Sequence, residues 1–315
     1  MKLDAAFFER LSRFRLAMGH KSSMNLTGNR KSMQKGSSTE FSDFREYMPG
    51  DDIRRIDWNA YGRLDRFYIK EYMEEKEAVI SILIDTSASM NYGEKKKSDL
   101  ACMLAAAMCY LGLNNMDRVV VYDMQRMKSP FVAGGGKQAF FKLSKWLEQC
   151  NFDGQVDIYE TISRLPAKGP GVTIIISDFL QEAFLSESLS GNSAVKDNAK
   201  RTGKADIKTT QDAISKLLRF LNYRKQKTVL LHVLAGEELN VNLTGTKNFI
   251  DMEDESTLRL TLDDASIKRY EKALQEFTSH LQKECSKQGA FYGICSTERD
   301  FYQLILQDLR VLYDI

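Results

Sequence analysis

Residues 78–90 read AVISILIDTSASM, and the fold is decided here. The nearly continuous apolar run at 78–84 is typical of a strand that is buried on both faces of a parallel sheet. Comparable runs recur at 117–123, 172–177 and 228–234, and segments with helical patterning lie between them. Apolar strands that alternate with helices predict an α/β fold, a doubly wound, mostly parallel sheet covered by helices on both faces.

The remaining elements follow from hydrophobic periodicity and turn residues. Helices are predicted over 4–18, 99–113, 157–165, 213–224, 265–287 and 300–312, and from the glycine run 134–136 to residue 150. Further strands are predicted over 66–73, 126–133, 248–252, 257–262 and 290–295. Residues 186–212 hold only three large aliphatic residues and no aromatic residue, a composition that favours a flexible loop. The change of texture near residue 77 predicts an N-terminal segment of helix and strands over 1–76 and a sheet domain over 77–315.

Composition argues against several classes of protein. The 45 basic and 43 acidic residues give a formal net charge of +2, so the whole chain has no strong attraction to nucleic acid or anionic lipid. Three scattered histidines argue against a histidine-based zinc hydrolase, and five cysteines without a C-x-x-C pair argue against a disulfide framework. Such thiols indicate a cytoplasmic protein, and no apolar stretch approaches the roughly 18 residues of a membrane span.

One local charge imbalance leaves an alternative open. Residues 10–39 contain seven Lys or Arg and no Asp or Glu. A solvated helix and loop is the simpler interpretation, and a transit peptide or a basic nucleic-acid-binding arm is the alternative.

The polar residues that follow the first buried strand carry the most specific chemistry. Asp85, Ser87 and Ser89 lie on one short loop, and Asp178 follows the strand predicted at 172–177. If the two strands are neighbours, both carboxylates lie at the carboxyl edge of the sheet, where doubly wound folds bind ligands. Hard oxygen donors of this kind suit Mg²⁺. The equally weighted alternative is that Asp85 and Ser87 only cap the next helix.

The pattern D-x-S-x-S after an apolar strand, with S-D after a later strand, resembles the metal-ion-dependent adhesion site of von Willebrand factor type A domains. The resemblance implies that Ser87 and Ser89 bind Mg²⁺, or Mn²⁺ as a substitute, and that Asp85 and Asp178 support it. It also implies that a partner's carboxylate fills the open position, which makes the site a recognition device. The threonine of that pattern is replaced by Val156, which cannot bind a cation, and Asp157 and Thr161 are candidate substitutes.

A second motif precedes the sheet domain. The pattern R-x-Y-x-P-G-D-D-x-R-x-I-D-W over residues 45–58, with Gly36, Glu40-Phe41 and Arg63, resembles the signature of domain-of-unknown-function family 58. It is interpreted either as a structural latch between the N-terminal segment and the sheet or as a docking surface or phosphate-binding site. The candidate partner-binding residues are Arg45, Tyr47, Asp51, Asp52, Arg54, Asp57, Trp58 and Arg63.

The family resemblance implies a function. Relatives resemble companions of MoxR-type AAA+ ATPases, which implies a non-enzymatic adaptor that works with such an ATPase on a client complex. The alternatives are a Mg²⁺-dependent hydrolase or phosphatase that uses Asp85 and Asp178, and a nucleic-acid-binding protein that uses residues 10–39. Residues 186–212 are expected to contribute to partner recognition, because they leave from the side of Asp178.

Overall fold

The computed structural model describes residues 15–16, 40–73, 79–114, 117–134, 137–166, 170–180, 207–241, 245–250 and 257–314. The chain forms two compact units, one over residues 21–77 and the other over residues 1–20 together with 78–315. The second unit includes Arg15–Leu16, which pair with Tyr313–Asp314 near the C-terminus. The N-terminal segment expected over 1–76 is therefore divided, because part of it completes the larger unit.

The strands and helices are numbered in chain order. The strands are β1 (Arg15–Leu16), β2 (Glu40–Glu46), β3 (Tyr68–Met73), β4 (Val79–Ile84), β5 (Arg118–Asp123), β6 (Phe131–Ala133), β7 (Gly171–Ser177), β8 (Gln226–Leu234), β9 (Gly245–Ile250), β10 (Thr257–Leu262), β11 (Phe291–Ser296) and β12 (Tyr313–Asp314). The α-helices are α1 (Trp58–Leu64), α2 (Lys97–Asn114), α3 (Lys137–Glu148), α4 (Ile158–Ser163), α5 (Ile207–Tyr223), α6 (Gly236–Leu239), α7 (Asp264–Lys287) and α8 (Phe301–Gln303).

A six-stranded sheet organises the larger unit. Its strand order is β11-β8-β7-β4-β5-β6, and all neighbours are parallel except β6, which runs antiparallel at one edge. Numbered by position along the chain, this order is 3-2-1-4-5-6, the doubly wound order, and it reverses between β4 and β7. The predicted α/β fold class is confirmed.

Apolar side chains bury both faces of this sheet, which explains the unbroken hydrophobic runs of its strands. On one face Ile82, Val121 and Ile174 pack with α2, α3 and the C-terminal turns. On the other face Leu83, Ile175 and Leu230 pack with α4, α5 and α7. The loops that leave the carboxyl ends of the strands are thus held by a core on both sides.

Several element predictions are wrong in part, and the strand predicted over 126–133 is confined to β6, Phe131–Ala133. Residues 15 and 16 form a strand rather than the end of a helix over 4–18, and residues 4–14 lie outside the described residues. The loop predicted over 186–212 is wrong at 207–212, because α5 begins at Ile207. The first turns of this helix are polar, yet Thr210 is buried. Residues 186–206 lie outside the described part of the chain.

The helix predicted over 300–312 breaks into short pieces. Helix α8 is followed by a π-helical turn, Leu304–Asp308, and a 3-10 turn, Arg310–Leu312. These pieces bury Leu304, Ile305 and Leu309 against one face of the sheet. Tertiary packing therefore overrides the regular helical period here.

The smaller unit is built around an antiparallel pair. Strands β2 and β3 pair with a register shift between Phe41 and Asp43. Asp57 ends the intervening loop and caps α1, because its Oδ1 accepts from the backbone N–H groups of Asn59 (2.9 Å) and Ala60 (3.3 Å). The ring of Tyr61 on α1 stacks on Phe67 with centroids 4.5 Å apart.

Removal of this cap is expected to loosen the smaller unit. The Asp57→Ala variant leaves the first N–H groups of α1 without their carboxylate and should cost about 1 kcal/mol. Amide hydrogen exchange over residues 58–64 should then be about fivefold faster, since 1.4 kcal/mol corresponds to a factor of ten. The exposed neighbour Asn59 provides the control, Asn59→Ala, and equal exchange in both variants would show that the cap is dispensable.

Candidate functional site

The candidate site lies where the strand order of the sheet reverses. Asp85 follows β4 and Asp178 follows the neighbouring β7, and the N–H of Asp85 still donates to the carbonyl of Ile176 at 2.9 Å. On the other side, the N–H of Met124 donates to the carbonyl of Ile84 at 3.0 Å. Parallel pairing thus continues one residue beyond the strands and brings three polar loops together.

Asp85 is buried and both of its carboxylate oxygens accept hydrogen bonds. Oδ1 accepts from the N–H of Ser87 at 2.9 Å, and Oδ2 accepts from the hydroxyl of Ser177 at 2.5 Å. Burial, with the nearby charge of Asp178, raises the pKa of Asp85 to about 6, although the hydrogen bonds from Ser177 and Ser87 oppose that shift. Asp85 therefore fixes the turn that starts the D-x-S-x-S loop.

The two serines of this loop lie side by side. The hydroxyl oxygens of Ser87 and Ser89 are 3.1 Å apart and share a hydrogen bond. Ser87 is buried and Ser89 is half-buried at the start of a 3-10 turn, Ala88–Asn91, and the side chain of Ser87 makes no cap hydrogen bond there. The alternative that both residues only cap the next helix therefore fits Asp85, which holds the turn. It does not fit Ser87, whose hydroxyl makes no capping hydrogen bond.

The segment aligned with the missing threonine lies against the same loop. The N–H of Ala88 donates to the carbonyl of Gly154 at 2.8 Å. A Cβ at Gly154 would lie 1.9 Å from Nε2 of Gln125, so glycine permits this close approach. Val156 packs beside the hydrophobic core of one sheet face, and Oδ1 of Asp157 accepts from the N–H of Glu160 at 2.7 Å and caps α4.

A lysine occupies the interior of the site. Nζ of Lys97, in the first turn of α2, lies 2.7 Å from Oδ2 of Asp178 and 2.7 Å from Oε1 of Glu238, and its side chain is 1% exposed. Burial lowers the pKa of Lys97, but the carboxylates of Asp178 and Glu238 outweigh it and raise the pKa overall. The ammonium group is therefore charged and links three elements.

Other polar groups complete the edge. Oδ1 of Asp123, at the end of β5, accepts from the hydroxyl of Thr86 at 2.6 Å and from the N–H of Gln125 at 2.9 Å. His232 on β8 is buried, its Nδ1 lies 2.7 Å from the hydroxyl oxygen of Tyr292, and burial lowers its pKa to about 4. The imidazole is therefore neutral at physiological pH.

The sequence predicted that Asp85, Ser87, Ser89 and Asp178 lie together at the carboxyl edge of the sheet, and the structure places them there. It missed Lys97, Glu238 and Asp123. Asp123 ends a predicted strand beside β4, which was a usable signal, and Lys97 shares a helical stripe with buried residues four and seven positions later. Glu238 offered no such signal, because it does not follow β8 directly but lies within the short helix α6.

These residues provide an incomplete set of ligands for Mg²⁺. The serine hydroxyls are spaced like adjacent ligands of an ion with bonds of about 2.1 Å. Val156 donates no oxygen, Asp157 caps α4, and Asp178 already binds an ammonium group. The described residues contain no cluster of three or more Asp, Glu, His or Cys side chains suited to a metal ion. The Mg²⁺ site stays a prediction that this arrangement does not favour.

The motif of the smaller unit serves local structure and also presents exposed groups. The guanidinium of Arg45 pairs with Asp51 at 2.9 Å, and Asp52 accepts from the N–H of Arg54. Trp58 is 63% exposed and, with side chains around it, lines a shallow groove of about 490 Å³. The groove is lined by Tyr47, Ile53, Arg54, Ile56, Trp58 and Phe67. Arg63 is exposed on α1. Both interpretations of the motif, latch and docking surface, stay predictions.

The fold and this edge define a doubly wound α/β protein with an acid–hydroxyl cluster at the switch point of its sheet. The family described as "Protein of unknown function DUF58" matches residues 43–279, so the chain belongs to that family. The predicted family is confirmed. No helix among the described residues is long and apolar enough to cross a membrane.

Two curated relatives are named as uncharacterized proteins. An uncharacterized protein of Mycobacterium bovis and one of Mycobacterium tuberculosis are each 28% identical over 163 residues, 49% of this chain and 51% of theirs. The chain thus spans about half the length of these relatives. Among solved structures, the conserved hypothetical protein BatB from Bacteroides thetaiotaomicron is similar with a TM-score of 0.34, 12% identity and coverage of 75% of this chain and 98% of that one.

A second solved structure is an aerotolerance-related membrane protein from Bacteroides fragilis. It is 11% identical, with a TM-score of 0.31 and coverage of 74% of this chain and 99% of that one. At these TM-scores the fold class rests on the strand order of this sheet.

Proposed function

We propose that the chain is a non-enzymatic adaptor that recognises a partner protein at the strand-end edge around Ser87 and Ser89. The observation that carries this proposal is the position of the paired serine hydroxyls at the switch point of a doubly wound sheet, where such folds bind ligands. Hydroxyl groups there can donate hydrogen bonds to a carboxylate of the partner.

The state of the neighbouring acids supports recognition over hydrolysis. Asp85 and Asp123 each accept two hydrogen bonds from groups of the chain, and Asp178 is paired with Lys97. A hydrolase needs a general base in hydrogen-bond reach of its substrate. These acids are committed to holding the loops instead, which favours a rigid binding edge.

The partner we propose is a MoxR-type AAA+ ATPase, as the family resemblance implies, with a client protein that the resemblance does not identify. We assign the adaptor to the cytoplasm, where its unpaired cysteines would stay reduced. The exposed Trp58, Arg54 and Arg63 of the smaller unit are the second contact surface that we propose. Residues 10–39 lie almost entirely outside the described residues, so a nucleic-acid-binding arm stays a separate prediction.

The partnership is tested by direct binding. The full chain should bind a purified MoxR-type ATPase from the same organism, and the Ser87→Ala/Ser89→Ala double variant should bind at least tenfold more weakly in a calorimetric titration. A single good hydrogen bond to a charged group contributes about 1.5–3 kcal/mol, which corresponds to that factor or more.

The matched control is Ser286→Ala. Ser286 is an exposed serine near the end of α7, shortly before β11 begins. It therefore lies at the amino ends of the parallel strands, opposite the candidate site. Its loss should leave affinity unchanged. Failure of the wild-type chain to bind the ATPase would refute the partnership, and equal binding by the double serine variant would refute the location of the site.

A further inference from the structure

We infer that Lys97 is a built-in cation that takes the role of the divalent ion in metal-dependent adhesion sites, so that this site works without metal. Lys97 belongs to the site of the proposed function, and only the identity of the bound partner rests on that function. The charge balance of the buried edge can be tested without any partner.

The geometry of Lys97 carries the inference. Its ammonium lies 2.7 Å from a carboxylate oxygen of Asp178 and 2.7 Å from one of Glu238, with 1% of the lysine side chain exposed. The three groups come from α2, from the residue after β7 and from α6. The buried ammonium group therefore links the start of α2 to the loops after two neighbouring strands. A metal ion bound at this edge would link the same kind of segments.

The charges at the edge show what the cation does. Asp178 is buried like Lys97, with its side chain 3% exposed, and Glu238 is largely buried, with its side chain 12% exposed. A buried carboxylate is costly unless it is paired and hydrogen-bonded. The second oxygens of both acids accept from the backbone N–H groups of Leu180 (3.3 Å) and Ala235 (2.8 Å). Lys97 supplies one positive charge that both carboxylates share, so a group of the chain itself balances part of the negative charge at this edge.

The ligands that a divalent ion would need are correspondingly absent or occupied. Mg²⁺ demands near-octahedral oxygen coordination, and Val156 donates no oxygen at the position of the missing threonine. Oδ1 of Asp157 caps α4 and both oxygens of Asp85 accept hydrogen bonds from Ser87 and Ser177. The hydroxyl oxygens of Ser87 and Ser89, 3.1 Å apart, have the spacing of adjacent ion ligands. Two neutral hydroxyls, with the threonine position taken by Val156, favour hydrogen bonding to a partner over metal binding.

Metal titration of the full chain tests the inference directly. We expect neither heat from Mg²⁺ in calorimetry nor loss of the free Mn²⁺ signal in electron paramagnetic resonance, at metal concentrations up to 5 mM, on the order of the weakest protein sites for such ions. A saturable site that disappears in the Ser87→Ala/Ser89→Ala variant would overturn it.

A gain-of-binding variant tests the role of Lys97. In Val156→Thr/Lys97→Met the threonine oxygen returns and the ammonium is removed, so Mn²⁺ binding at the site should appear. Val156→Thr alone keeps the ammonium and should not bind. Saturable binding by this single variant would overturn the role of Lys97, and the single variant keeps the test decisive if the double variant does not fold.

Partner binding separates the two proposals. With the ATPase of the proposed function, EDTA should change the affinity of the wild-type chain less than twofold. Binding that EDTA abolishes would overturn the built-in cation and leave the adaptor function standing. No binding with or without EDTA would refute the partnership, and the metal titration would still decide the role of Lys97.

Discussion

The Lys97→Met variant is expected to lose about 3–5 kcal/mol of the free energy of unfolding of the larger unit, because it leaves buried carboxylates without their partner. Asp178 and Glu238 each lie 2.7 Å from the lysine ammonium and have little access to water. Methionine fills a similar volume, so the loss reports the missing charge more than a cavity. A loss of this size approaches the whole stability of a marginal domain.

The measurement needs a reporter in the larger unit alone. The chain has two tryptophans, Trp58 in the smaller unit and Trp146 on α3 in the larger one. In a Trp58→Phe background, the fluorescence of Trp146 follows urea unfolding of the larger unit.

Two further variants identify the cause of the loss. Lys96→Met is the matched control, because Lys96 is exposed and its ammonium donates to the side chain of Asn91; it should change stability by less than about 0.5 kcal/mol. Adding Asp178→Asn and Glu238→Gln to Lys97→Met removes the unpaired charges and should recover about half of the loss or more. Equal stability of Lys97→Met and Lys96→Met would refute the buried ion pairs.

The fold was predictable because its central strands are buried on both faces. A continuous apolar run such as VTIIIS in β7 indicates a strand that is buried on both faces, which is typical of parallel sheets covered by helices. The errors fall where local pattern and packing disagree. The last helix breaks at Leu304 to bury side chains, and α5 begins among polar residues that composition had assigned to a loop.

The candidate site was predictable only where its residues follow strands. Asp85 and Asp178 come directly after apolar runs, and strand pairing then places them at one edge. Lys97 is the last of three consecutive lysines, and only the helix start selects it for burial while Lys95 and Lys96 stay exposed. Its two acids come from distant parts of the chain, so the ion pairs exist only in the folded protein.

The second large effect is the pH dependence of stability. Burial shifts the pKa values of two groups at this edge in opposite directions, so their protonation has opposite effects on the free energy of unfolding. His232 has an ordinary pKa of 6.5 that burial lowers to about 4 in the folded chain. Between these values only the unfolded chain binds the proton, so stability is full above pH 6.5 and falls as the pH drops toward 4. Asp85 has an ordinary pKa of 3.8 that burial raises to about 6. Between pH 6 and 3.8 only the folded chain holds its proton, so this group adds stability as the pH falls.

Neutral variants of similar shape separate the two contributions. Between pH 7.5 and 5.0, His232 should cost about 2 kcal/mol and Asp85 should return about 1.4 kcal/mol, since each pKa unit corresponds to about 1.36 kcal/mol. Asp85→Asn isolates the histidine, so its stability should fall most steeply toward acid. His232→Asn retains a polar group near Tyr292 and isolates the aspartate, so its stability should rise over the same interval.

The double variant supplies the baseline. Asp85→Asn/His232→Asn removes both groups, and the carboxylates elsewhere in the chain give all four proteins the same background. Urea unfolding followed through Trp146, in buffers with EDTA, measures the four free energies at each pH. If either single variant runs parallel to the double variant, the group that it retains does not titrate with a shifted pKa. Opposite slopes relative to the double variant would show that the Asp85 carboxyl group offsets part of the stability that His232 costs the wild-type protein at acidic pH.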